Sequence, residues 1–169
     1  KKFQAKTLSP AEKAYLEIIP TIEADISQTS NQKFEQEGSM ARLAIASELK
    51  LNAQARYYTM EGDQLGRGPL PPKINKTTKY WIFVNISNTS NQVNGVAFST
   101  SLPLGVELTG KQSVTIGQQL MFNKSNRTIT WSNDSLPANS QTGLYFEVAI
   151  TPAHNQLGNV FLMQNRVEE

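Results

Sequence analysis

The first long pattern in the chain is an alternation of apolar and polar residues from Ala41 to Tyr58. Its apolar positions include Leu43, Ile45, Leu49 and Leu51, and charged or amide side chains fill most of the positions between. A period of two is typical of a half-buried strand. A helix is the alternative, because most of these residues are good helix formers. The placement of the charges and the β-rich sequence that follows favour the strand.

Short alternating segments then recur to the end of the chain, with turn signals between them. Asn94-Gly95 is such a signal, because both residues tolerate the left-handed conformations that tight turns need. Short strands at this spacing predict an all-β, immunoglobulin-like β-sandwich of about seven to nine antiparallel strands. The predicted strands after the first are 79–87, 96–101, 106–109, 113–116, 119–122, 128–132, 144–151 and 158–164.

The segment before the sandwich has a different pattern. Ser9-Pro10 is a typical helix start and predicts a short helix that ends near Ile19, since Pro20 follows. Residues 27–39 are polar without an apolar period, which predicts a loop or linker. We therefore divide the chain into an N-terminal extension, residues 1–41, and a sandwich, residues 42–169. Within the latter, the glycines and prolines of residues 61–72 predict a surface loop.

Composition narrows the function classes. Apolar residues make up 38 % of the chain, which suits sheets that expose one face to water. The net charge is +2 and the basic residues form no stripe, so nucleic acid is not expected as a partner. There is no cysteine, which excludes disulfides and thiolate sites. No segment is long and apolar enough for a membrane span, so we expect any membrane anchor to lie outside this sequence.

Few residues are candidates for catalysis. His154 is the only histidine, and Pro152 beside it indicates a surface turn. Glu61 and Asp63 could offer two oxygens to a cation, but no calcium-loop spacing surrounds them. No pair of carboxylates stands out. The sequence therefore predicts a protein that is not an enzyme and has no catalytic residues, metal site or cofactor.

Asn-x-Ser/Thr triplets are frequent in this chain. On an exposed protein they are acceptors for N-glycosylation. They also arise wherever Asn, Ser and Thr concentrate in turns, and the sequence leaves both explanations open. The candidate glycosylation sites are Asn75, Asn85, Asn88, Asn123, Asn126 and Asn133.

Trp81 and Phe83 lie opposite the apolar face of their predicted strand. They are expected to pack within the chain, on another repeat or on a ligand. If they are exposed, they mark an interface.

Several motifs recur along the predicted sandwich in a recognisable order. They are Lys79 to Thr89, Leu102-Pro103-Leu104-Gly105-Val106, Arg127-Thr128-Ile129-Thr130-Trp131, Phe146-Glu147-Val148, and Ala55-Arg56-Tyr57-Tyr58 with Gly66 to Pro72. In this order they resemble the Ig-like conserved-repeat domains of bacterial cell-surface proteins, in particular the last repeat of large membrane-anchored tandem-repeat proteins. The similarity covers about residues 47–165, and Asn139-Ser140 stands where that family has a turn glycine. It implies a non-catalytic spacer or adhesion module.

Three functions follow as hypotheses, all extracellular. The first is a structural spacer that contacts neighbouring repeats. The second is a filament subunit that donates Leu43, Ile45, Leu49 and Leu51 to the next copy by donor-strand exchange. The third is an adhesin that binds glycans or surface proteins through its loops.

Overall fold

The computed structural model describes residues 3–4, 15–26, 32–156 and 164–168. In these ranges the chain is built from β-strands, and no helix is long and apolar enough to cross a membrane. A single 3-10 turn spans His154–Gln156. The strands are β1 Phe3–Gln4, β2 Tyr15–Ile18, β3 Thr21–Ile26, β4 Gln32–Glu37, β5 Ala41–Ala44, β6 Leu49–Arg56, β7 Thr78–Asn88, β8 Val93–Ser101, β9 Val106–Val114, β10 Met121–Asn123, β11 Thr128–Leu136, β12 Gln141–Ile150 and β13 Gln164–Glu168.

Two four-stranded antiparallel sheets form a sandwich. One has the order β6-β7-β12-β9 and the other the order β10-β11-β8-β13. Their inner faces supply one apolar core, in which Val84, Phe98, Ile129 and Phe146 are almost completely buried. Each such side chain stabilises the fold by roughly 1.5–3 kcal/mol relative to its exposed state. The predicted all-β sandwich is confirmed.

From β7 onward each strand lies in the opposite sheet from the strand before it, except that β10 and β11 are neighbours in one sheet. This alternation gives the sandwich two ends, which we name by residues of β7. The Asn88 pole is where β6 begins, β7 ends and β8 begins, and the Thr78 pole is where β7 begins and β8 ends. Strand β13 pairs Gln164 with Ser101 and Glu168 with Ala97, so it runs from the Thr78 pole toward the Asn88 pole.

Two turns are held by residues in left-handed backbone conformations. Asn139 has φ 53°. This is the conformation that lets Asn stand in for the glycine of the resembled family. Arg127 has φ 56°, and its guanidinium donates hydrogen bonds to the carbonyls of Leu102, Pro103 and Val106. These bonds tie the β8–β9 turn to the start of β11.

The loop between β6 and β7 is ordered around one tyrosine. Tyr57 is buried; its hydroxyl donates to the Gly68 carbonyl at 2.6 Å and accepts from Gln64 Nε2 at 3.2 Å. Gly66 lies so close to the Tyr57 ring that an added Cβ would stand 2.4 Å from Cδ2. The predicted surface loop is confirmed, and its glycine provides the close approach.

The N-terminal region differs from the prediction. The expected helix is wrong where it overlaps described residues, because Tyr15–Ile18 is β2, paired with both β1 and β5. Pairing on both sides outweighs a helical tendency that Pro20 would end within a few residues. The remainder of that helix, residues 9–14, lies outside the described residues. The expected linker, residues 27–39, contains β4, which forms a hairpin with β3, while residues 27–31 lie outside the described ranges.

Three boundaries inside the sandwich also differ. The continuous strand expected from Ala41 to Tyr58 is broken at residues 45–48, so the sandwich begins at Leu49 with β6. Asn94-Gly95 lies inside β8, where Gly95 has φ 69°, because the actual turn uses residues 89–92. The segment 106–109 and the first two residues of 113–116 belong to one strand, β9, which ends at Val114 and whose register shifts opposite Phe146 and Val148. Most of the last predicted strand, residues 158–163, lies outside the described residues.

Candidate functional sites

The four residues predicted as a donated strand separate into two pairs. Leu49 and Leu51 lie on β6 and pack against the core of their own sandwich. Leu43 is 53 % exposed and Ile45 is 46 % exposed. Met40, just before β5, is 47 % exposed. Residues 40–45, which we call the donor segment, thus carry the exposed part of the apolar pattern.

A cluster of polar contacts fixes the chain just after the donor segment. Ser47 Oγ donates to Asn88 Oδ1, and the Glu48 amide donates to Thr89 Oγ1 at 2.9 Å. Asn91 Nδ2 donates to the Ile45 carbonyl. These side-chain bonds replace strand pairing at residues 45–48 and hold the start of β6 at the Asn88 pole.

The candidate glycosylation residues have different environments. Asn88 is 4 % exposed, and its amide nitrogen donates to the carbonyls of Asn91, Leu136 and Pro137 at 2.6, 2.9 and 2.8 Å. In the folded chain this nitrogen, the atom that glycosylation would modify, is engaged. Asn133 is half-buried and bonds the Ser135 carbonyl. The exposed positions, at which glycosylation stays a prediction, are Asn75, Asn85, Asn123 and Asn126.

Trp81 and Phe83 lie on the outer face of the β6-β7-β12-β9 sheet and are half-buried. The Phe83 ring is 5.1 Å from the Tyr145 ring in an edge arrangement, and the Arg56 guanidinium lies 5.0 Å above it. Packing within the chain, one of the three alternatives, accounts for this contact. The rings still contribute a partly exposed aromatic strip, which we call the outer aromatic face.

Sequence reasoning missed Glu147, which is 1 % exposed on the same outer face. Its carboxylate lies between two lysines, 3.5 Å from Lys111 Nζ and 3.8 Å from Lys79 Nζ. Oε2 accepts no hydrogen bond within the described part of the chain. The sequence contained one indication that Glu147 is buried: its carboxylate lies between the apolar residues Phe146 and Val148. Most residues of β12, the strand that contains it, are buried.

An opening lies between the edge strands of the two sheets. Strand β9 ends one sheet and β10 ends the other. It is lined by Leu108 and Phe122, which pack against the core, and by the charged residues Glu107, Lys124 and Arg127. The space is about 370 Å³. We call it the β9/β10 groove.

The residues considered for catalysis or metal binding remain separate. His154 is exposed in the turn after β12, as predicted. Glu61 and Asp63 are exposed in the β6–β7 loop, where the backbone of Asp63 bonds Thr59. Within the described ranges, no three acidic or histidine side chains come close enough to hold a metal ion.

The chain was compared with protein-family models and with curated proteins. No protein-family model matches the chain, and no curated protein is significantly similar to it. The resemblance to conserved-repeat domains therefore stays a prediction that depends on the motifs alone.

Proposed function

We propose that this chain is a non-enzymatic structural module of an extracellular, cell-surface protein and that it associates with copies of itself. The observation that carries the proposal is the division of its apolar residues. The sandwich buries its own core, with Leu49 and Leu51 partly buried against it, whereas Leu43 and Ile45 of the donor segment are exposed. Exposed apolar residues on a strand at the end of the described β1-β2-β5 sheet favour association with another chain.

Sedimentation velocity over a series of concentrations tests the proposal. The parent chain is expected to form oligomers as its concentration rises. Leu43→Ser with Ile45→Ser should weaken this association at least tenfold, since about 1.4 kcal/mol of lost apolar contact is enough for that factor. Met60→Ser is the matched control, because Met60 is 84 % exposed in the β6–β7 loop. A parent chain that stays monomeric at every concentration would contradict the proposal.

A second candidate function is adhesion to glycans, and the outer aromatic face favours it. Trp81, Phe83 and Tyr145 lie beside the amide side chains of Gln54 and Asn85 on one sheet face. Rings and amides together suit the apolar faces and hydroxyls of sugars. Glycan-array binding that Trp81→Ala abolishes would support adhesion, and absence of binding by the parent chain would count against it.

A further inference from the structure

A pocket of about 200 Å³ opens on the outer face of the β10-β11-β8-β13 sheet. Successive side chains of a strand alternate between the two faces of a sheet. Phe98 of β8 and Trp131 of β11 are buried in the core, so the residues next to them face outward. Thr130 is the cross-strand partner of Ser99 on one side and of Met121 in β10 on the other. Three neighbouring strands thus form the base of the pocket.

The turn between β9 and β10 forms one wall of the pocket and is held at both of its ends. Gly117 has φ 88°, and an added Cβ would stand 3.1 Å from Trp131 Nε1, so the turn packs directly against the tryptophan. Leu120 is buried at the other end. Its amide donates to Gln112 Oε1 at 2.6 Å, and its carbonyl accepts from Gln112 Nε2 at 3.2 Å. The pocket is therefore formed without a ligand.

The polar side chains around the pocket carry hydroxyls or amides, which both donate and accept hydrogen bonds. None of them makes a hydrogen bond within the described part of the chain. No charged side chain is among the described residues that line the pocket. Ala97 and Met121 add an apolar surface, and Met121 is 69 % exposed. The five polar residues are Ser99, Gln118, Gln119, Thr130 and Ser132.

We infer that this pocket binds one unit of a neutral sugar. Sugar hydroxyls donate and accept as the lining does, and the C–H face of a sugar ring can pack on Met121 and Ala97. A charged ligand would lose hydration there without gaining a counter-charge. The space is smaller than the ~300–1,000 Å³ of sites for larger ligands, so it suits a single ring. The inference does not rest on the proposed self-association, and the pocket lies on the opposite sheet from the outer aromatic face.

NMR titration of the nitrogen-labelled chain with neutral sugars tests the pocket, because the two tryptophans give separate indole N–H signals. Trp131 lines the pocket, whereas Trp81 lies on the outer aromatic face. The probes are glucose, galactose, mannose and N-acetylglucosamine. We expect at least one of them to shift the Trp131 signal and the side-chain amides of Gln118 and Gln119 saturably. The expected Kd is about 1–10 mM, and the Trp81 signal should not change.

Two variants separate the pocket from the rest of the surface. Gln118→Ala with Gln119→Ala should weaken binding at least about tenfold, because the sugar loses hydrogen bonds to both amides. Both glutamines are exposed, so the change leaves the core intact. The matched control is Gln141→Ala, at an exposed glutamine that begins β12 in the other sheet, and it should bind as the parent chain does.

Several results would overturn the inference. One is the absence of saturable shifts with all four sugars up to about 50 mM. Another is a set of shifts centred on Trp81, which would place the sugar on the outer aromatic face and support adhesion there instead. Equal affinities of the parent chain and the Gln118 and Gln119 double variant would also exclude the pocket. Glucuronic acid that binds as tightly as glucose would contradict the preference for a neutral sugar.

Discussion

At the scale of single residues, buried polar groups determine how the ends of the sandwich are held. Asn88 joins the β7 end, the β7–β8 turn and the β11 end through three carbonyls, and it accepts a bond from Ser47. At the Thr78 pole, Arg127 joins the start of β11 to the β8–β9 turn, because its guanidinium donates hydrogen bonds to the carbonyls of Leu102, Pro103 and Val106. Both are polar residues whose partners are distant in sequence, so local pattern alone did not distinguish them from ordinary turn residues.

Asn88→Ala should lower the free energy of unfolding by about 1–3 kcal/mol, because it leaves buried carbonyls without their donor. Asn85→Ala is the control, since Asn85 is exposed on the outer face. It should change stability by less than about 0.5 kcal/mol. Urea denaturation measures both values. Equal effects would show that the bonds of Asn88 contribute nothing beyond those of a surface amide.

Tyr80 gives the sandwich a dependence on alkaline pH. Burial raises the pKa of Tyr80 above its ordinary value of 10.0, and the neighbouring Tyr57 raises it further. The unfolded chain therefore loses this proton first as pH rises. The contribution of Tyr80 to stability is complete below pH 10 and is lost above it.

Tyr80→Phe should remove that loss. The free energy of unfolding of the variant relative to the parent should increase as the pH rises through about 10. Chemical denaturation at several pH values measures the difference, and groups that titrate in this range without interacting with Tyr80 cancel in the comparison. Parallel curves for the two proteins would contradict the assignment.

At the scale of elements, the period of two predicted the sandwich strands well because each of them buries one face. The helix predicted from the Ser9-Pro10 start signal is wrong at residues 15–18, where pairing with β1 and β5 determines the conformation. The period of two failed at residues 45–48, where the hydroxyl of Ser47 takes the place of strand pairing. A contact between residues more than forty positions apart has no local signature, so this break could not be predicted.

The loop of residues 57–77 depends on the absence of a side chain at Gly66. Gly66→Ala would place a Cβ 2.4 Å from Tyr57 Cδ2 and 2.5 Å from the Lys79 carbonyl oxygen. The loop must then move away from the buried tyrosine. We expect trypsin to cleave at the exposed Arg67 much faster in this variant than in the parent chain.

Gly62→Ala is the control in the same loop. Gly62 has φ 98° and nothing within 4 Å of an added Cβ. This change should cost only the backbone strain, of order 1–3 kcal/mol, and leave the Tyr57 contacts in place. If both variants are cleaved at the same rate, the close approach to Tyr57 does not determine the order of the loop.

At the scale of the whole molecule, the proposed self-association requires that β6 completes its own sandwich while the donor segment stays exposed. The sequence predicted the sandwich and the alternating strand, but not the break at residues 45–48 that separates β5 from β6. The β9/β10 groove was also beyond prediction, because it arises from two edge strands whose sheet order only the folded topology reveals.

Cysteines at Asn52 and Asn85, which are cross-strand partners on the exposed face of β6 and β7, test this directly. The chain has no other cysteine. After mild oxidation, non-reducing electrophoresis separates disulfides within one chain from disulfides between chains. The account predicts a monomer that contains one internal disulfide, even under conditions in which the chain associates. A ladder of disulfide-linked chains would show that β6 itself is exchanged between copies, and would contradict it.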